Sequence, residues 1–190
     1  MPTQPRSICV FCGSRSGIDP AYQAAATELG TWLAEQGHEL VYGAGDVGLM
    51  GAVAHASQDA GGRALGVIPV HLLGVENGKR DLSRFVITET MHERKKVMFM
   101  NSDAIVVLPG GAGSLDEFFE VLTWGQLGLH SKPVFLLNIN GFWDPLDKLV
   151  HHVVSQGFAE GSLATFYECV PDMASLAERM TRRLDPGLAG

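Results

Sequence analysis

The nine residues Pro109 to Glu117 bring together three glycines (Gly110, Gly111, Gly113), the hydroxyl of Ser114 and the carboxylates of Asp116 and Glu117. The run Asp103 to Leu108 before them is almost wholly apolar, as a doubly covered parallel strand requires, and Phe118 to Trp124 after them has helical spacing. The glycines therefore sit at a strand-to-helix turn. Glycine there permits positive φ and close approach by a ligand. The first N–H groups of the helix lack intrahelical partners, and its dipole favours an anion. This is the chemistry of a phosphate seat. Ser114 reads as the helix N-cap, with Glu117 completing a capping box three residues on. Glu117 also has a second reading. An ionised carboxylate near C1′ of a bound ribose phosphate orients or activates a water and stabilises an oxocarbenium-like transition state, as in glycoside hydrolysis.

A second cluster is Met91-His92-Glu93-Arg94-Lys95-Lys96, with three consecutive cations on a helix. Such runs usually form a solvated face. This helix, however, directly precedes the central strand, so Arg94 or Lys95 is placed to reach back over the site. Arginine suits a phosphate or a cluster of ribose hydroxyls because its fork is rigid. Two further glycine turns follow strands: Gly13-Ser14 after Ser7 to Cys12, and Gly43-Ala44-Gly45-Asp46-Val47-Gly48 after His38 to Tyr42. The second is a literal G-x-G-x-x-G. A dinucleotide site also needs a carboxylate about 20 residues on, and Ala64 to Pro69 supplies none, which disfavours NAD. Neither turn carries the G-K-[S/T] ending of an NTPase loop. The histidines form no H-E-x-x-H pattern and no metal site is expected; there is no G-x-S-x-G elbow. Cys9 and Cys12 are spaced C-x-x-C but lie in and at the end of a strand-like run, which favours packing over redox chemistry.

The elements that must position these groups alternate along the chain. Strands read at 7–12, 38–42, 63–68, 85–88, 103–108, 132–138 and 167–170, and helices at about 20–36, 49–60, 91–100, from 118, 144–156 and 174–184. Such alternation predicts an α/β fold, a Rossmann-like doubly wound parallel sheet flanked by helices, as a single domain over 1–190 with loose tails at 1–5 and 186–190. Its ligands bind beyond the carboxyl ends of the strands, so all three glycine turns share one edge. The 71–84 stretch is the only long irregular segment. A net charge of −7 argues against nucleic acid or an anionic membrane as partner, and no apolar run approaches the length of a membrane span. With no apolar leader, a cytoplasmic location is expected.

These residues resemble a known family. Pro109 to Glu117 is similar to the P-G-G-x-G-T-x-x-E signature of the LOG family, the cytokinin riboside 5′-monophosphate phosphoribohydrolases. Met91 to Lys95 resembles its M-H-x-R-K motif, Tyr42 to Gly51 its G-G-G-x-x-G-L-M-G turn, and Phe11 to Arg15 its opening strand and turn. The likeness runs over about residues 6 to 180. It implies hydrolysis of the N-glycosidic bond of an N6-substituted AMP, or AMP itself, giving free base and ribose 5-phosphate without a cofactor. It further implies Arg94 and Glu117 as the catalytic pair. Lys95, the segment Gly111-Ala112-Gly113-Ser114-Leu115-Asp116-Glu117, Thr123 and Glu76 take substrate-binding positions. The nucleoside 5′-monophosphate substrate sits in a homodimer whose site is lined partly by the partner chain. Two departures stand out. Ser114 replaces the family threonine and keeps its hydroxyl, and Ala44 replaces a glycine, which is expected to tighten the pocket. Members are often labelled lysine decarboxylases, but no lysine here has a recognisable pyridoxal-phosphate context. The alternatives are a non-catalytic nucleotide sensor or carrier, such as one holding a molybdenum-cofactor-like ligand, and an NAD-dependent enzyme.

Overall fold

A computed structural model of the chain describes residues 4–74 and 82–185. Among them the elements run β1 (Ser7–Phe11), α1 (Pro20–Glu35), β2 (Glu39–Tyr42), α2 (Gly48–Asp59), β3 (Arg63–Pro69), β4 (Arg84–Thr88), α3 (Met91–Met100), β5 (Ala104–Val107), α4 (Ala112–Gln126), β6 (Val134–Leu137), α5 (Asp144–Ser155), β7 (Glu168–Val170) and α6 (Met173–Leu184). The strands form one sheet in the order β4-β3-β2-β1-β5-β6-β7, and every neighbouring pair is parallel. Chain order reverses between β1 and β5, so the crevice beyond their carboxyl ends is the topological switch point where such sheets bind ligands.

Strict alternation along the strands builds two cores. Ile8, Val10, Leu40, Tyr42, Val106 and Phe135 face α1, α2 and α6, whereas Cys9, Phe11, Val41, Val107 and Leu136 face α3, α4 and α5. Both faces are apolar because both are covered, which is why the strands read as unbroken hydrophobic runs. Cys9 and Cys12 fall on opposite faces of the sheet and serve as packing groups. The result is the doubly wound α/β arrangement expected from the sequence.

Local signals set the helix starts. Asp19 caps α1 by accepting the Ala21 N–H at 2.9 Å, with Pro20 in the first turn. At α3, Thr90 and Glu93 form a reciprocal capping box. The capping box expected at Ser114 and Glu117 is not formed: α4 begins at Ala112, Gly111 is its N-cap, and no side chain caps it. Glu76 and the tail residues 1–3 and 186–190 lie outside the described residues.

Candidate active site

The three glycine turns are joined at one residue. Gly13 N–H donates to the Pro109 carbonyl at 3.1 Å, and the Gly13 carbonyl accepts from Leu49 N–H at 3.1 Å and Met50 N–H at 3.4 Å. The leading N–H groups of α2 are therefore already satisfied by protein. Gly48, at φ +62°, lies so close to the main chain of Ser14 and Arg15 that any Cβ there would collide with it. Gly45 makes room for Met50, whose Cε would stand 2.7 Å from an added Cβ. Thus Gly45 and Gly48 serve to dock the turns, and of the second turn only Gly43 lines the cleft. Ala44 also departs from expectation. It adopts φ +59° with its side chain buried toward Gly66, away from the cleft, so it does not narrow the pocket.

At the third turn the anion seat is open. Gly111 is extended and α4 starts with Ala112 and Gly113, and a Cβ on Gly111 or Gly113 would meet nothing within 4 Å. Neither Gly110, Gly111 nor Gly113 has positive φ. What glycine supplies here is access. Gly110 is the exception: a Cβ there would press on Ser114 Cβ at 2.7 Å. Ser114 is buried in the third position of α4 beneath Gly110. The uncapped N–H groups at the start of α4, with the helix dipole behind them, favour an anion.

Arg94 and Glu117 line this cleft from opposite elements, α3 and α4. Arg94 is buried. Its Nε donates to the Val67 carbonyl at 3.0 Å and its Nη2 to the Gly43 carbonyl, so the guanidinium is clamped to the ends of β3 and β2. Gly43 must be glycine for this: an added Cβ would stand 2.9 Å from Arg94 Cζ and closer still to Nη2. Glu117 is half-buried. Cys12 senses both charges. Burial raises its thiol pKa far above the usual range, the Glu117 carboxylate pushes it further up, and Arg94 opposes. Cys12 is therefore a neutral thiol in the cleft wall and no nucleophile.

The cleft encloses about 480 Å³. Of the positions singled out from sequence, Gly13, Ser14, Gly43, Arg94, Gly111, Ala112, Gly113, Ser114 and Glu117 line it. Lys95 does not. It points along α3 to α4, pairing with Asp116 Oδ2 at 2.9 Å and Glu120 Oε2 at 2.6 Å. Burial pulls the Lys95 pKa down, but the two carboxylates outweigh it and hold the ammonium above the ordinary lysine range. Leu115 packs against the α3–α4–α5 core. Thr123 is exposed and donates to the Phe119 carbonyl at 2.7 Å within its own helix. Sequence reasoning missed the apolar walls. Tyr22 and Phe142, which meet edge to face at 5.4 Å, line the cleft together with Met50, Met91 and Met98. Arg15 joins the lining at the first turn. Only the 3.6-residue spacing of Met91 and Met98 beside Arg94 carried any signal for them.

A family model described as "Possible lysine decarboxylase" matches residues 50–180. The cytokinin riboside 5′-monophosphate phosphoribohydrolase LOG of Oryza sativa subsp. japonica is 49% identical over 153 residues, covering 80% of this chain and 63% of that protein. The cytokinin riboside 5′-monophosphate phosphoribohydrolase LOG2 of Arabidopsis thaliana is 42% identical over 173 residues, 91% of this chain and 81% of that one. Among solved structures, the Moco carrier protein of Chlamydomonas reinhardtii superposes with a TM-score of 0.72 at 20% identity, over 96% of this chain and 99% of that chain. That last likeness shows a shared fold. Among the described residues no helix is long and apolar enough to cross a membrane.

Proposed function

The chain belongs to the LOG family of cytokinin riboside 5′-monophosphate phosphoribohydrolases, and from that premise we propose how its cleft hydrolyses an N6-substituted AMP to free base and ribose 5-phosphate. The observation that carries the reading is the meeting of Arg94 and Glu117 in one cleft with the open N-terminus of α4.

The 5′-phosphate docks on the N–H groups at Ala112 and Gly113, where no Cβ shields the backbone of Gly111 or Gly113. Arg94, held by two main-chain carbonyls, presents its guanidinium to the ribose side of the nucleotide. The Glu117 carboxylate, one turn into α4, faces C1′. It orients a water for attack and stabilises the positive charge that develops as the C1′–N9 bond breaks. Water adds to C1′, and the base leaves as the neutral purine after taking up a proton. The methionine wall gives the apolar N6 substituent a non-polar lining. The decarboxylase wording of the family model finds no support in these residues, since the lysine beside the site, Lys95, is committed to two carboxylates. A second copy of the chain completes the site at the exposed apolar side chains of Met100, Phe119 and Leu127 on and just after α3 and α4. Sedimentation measures that dimer.

Glu117→Gln tests the mechanism. It keeps the shape and removes the charge, so nucleotide affinity should hold while turnover of N6-isopentenyl-AMP, followed as free base, falls by about 10³-fold or more. Unchanged turnover removes Glu117 from the reaction.

A further inference from the structure

Lys95 stands next to Arg94 in sequence yet turns its ammonium away from the cleft. It grips α4 on both sides of Glu117, at Asp116 one residue before it and at Glu120 three residues after. The lysine side chain is only 8% exposed, so its charge is withdrawn from water and committed to these two partners, whereas Asp116 is 64% and Glu120 24% exposed. The contact joins the helix that bears Arg94 to the helix that bears Glu117. The same two helices also meet in the core, where Phe99 of α3 and Trp124 of α4 pack edge to face at 4.9 Å, but Lys95 is the contact that flanks Glu117 itself, while Arg94 is fixed to the carbonyls of Val67 and Gly43.

We infer that Lys95 is a positioning residue: its ion pairs with Asp116 and Glu120 fix the rotation and height of α4 relative to α3, and so the placement of Glu117 opposite Arg94. The inference rests on Arg94 and Glu117 acting together as proposed above. It differs from a substrate-binding role for Lys95 in what it predicts. A binding lysine contributes to affinity and acts alone. A positioning lysine contributes to turnover and acts only through its two carboxylates. A displacement near 1 Å between reacting groups costs about 10²-fold in rate.

The experiment is a double-mutant cycle on the full chain, with base release from N6-isopentenyl-AMP as the assay. Lys95→Met should lower kcat roughly 10- to 100-fold with KM within about threefold of wild type. Asp116→Asn combined with Glu120→Gln should do the same from the other side. Adding Lys95→Met to that pair should cause no further loss, and Lys95→Arg should recover most of the turnover. A rise in KM at unchanged kcat for Lys95→Met, or losses that multiply in the triple variant, means that Lys95 touches the substrate and overturns the inference. Wild-type kcat in the carboxamide pair overturns it equally, and that pair decides the matter if Lys95→Met does not fold. Glu117→Gln run alongside separates the two levels. Loss of turnover there with normal kcat in the clip variants sinks the clip alone, whereas full activity in Glu117→Gln sinks the parent mechanism and the clip with it.

Discussion

Gly43→Ala asks how finely Arg94 must be placed. Gly43 lies outside the left-handed region, so the backbone accepts alanine without strain. The new methyl would nevertheless stand 2.9 Å from Arg94 Cζ and 3.2 Å from Met50 Sδ, and closer still to Nη2. Ordinary van der Waals contact begins near 3.4 Å. The guanidinium must therefore retreat by on the order of 1 Å, breaking its bond to the Gly43 carbonyl, and such a shift is enough for a loss of about 10²-fold in turnover. Stability should fall modestly, because a buried hydrogen bond to a charged group is worth about 1.5–3 kcal/mol and the lowered unfolded-state entropy offsets only about 0.4–1 kcal/mol of it. The assay is release of free base from N6-isopentenyl-AMP under single-turnover conditions, with the urea midpoint measured in parallel. A Gly43→Ala protein that folds normally and turns over at the wild-type rate would show that the Arg94 clamp is irrelevant to the chemistry.

Two further outcomes follow from titratable groups away from the cleft. Burial of its sulfur and the Asp147 carboxylate, 3.8 Å away, push the Cys169 thiol up to about 12. Iodoacetamide at about pH 8 should therefore modify it on the order of 10²- to 10³-fold more slowly than a free thiol, despite its surface position, and Asp147→Asn should accelerate labelling. Fast labelling of the wild type refutes this. His38 is held below the ordinary histidine range first by burial, and its Nδ1 accepts the Arg6 N–H at 3.2 Å. The unfolded chain then takes up a proton more readily than the folded one. The stability from neutral His38 is complete above the unfolded pKa of about 6.5 and is lost as pH falls through the lower folded value. The urea midpoint of wild type should fall more between about pH 7.5 and 5 than that of His38→Gln, and parallel pH profiles would contradict the assignment.

Much of this was legible in the residues because the sheet is covered on both faces. The inner strands stood out as apolar runs, and glycines at 37 and 61–62 ended the helices before β2 and β3 where expected. The failures are local and share one cause. Ser114 has the chemistry of an N-cap, but the cap falls three residues earlier at Gly111, and Ser114 is buried inside the first turn against Gly110 with the leading N–H groups left uncapped. The second glycine turn matched a phosphate motif in spelling, while its helix start was already filled by the Gly13 carbonyl, 36 residues before Leu49 in sequence. Lys95 looked like part of a basic face because its partners, Asp116 and Glu120, come from the next helix but lie beyond a strand. Pattern reading weighs neighbours in sequence, and each of these outcomes turns on a neighbour in space.

The knot at Gly13 has a thermodynamic consequence. With one residue bonded through its N–H and its carbonyl to both adjoining turns, the floor beneath an incoming nucleotide exists before it arrives, and no loop there must surrender freedom when it does. Affinity at this floor is thus spared an ordering cost of about 0.5–1.5 kcal/mol for each mobile side chain that other sites immobilise. Discrimination among nucleotides is left to the side chains standing around that rigid base.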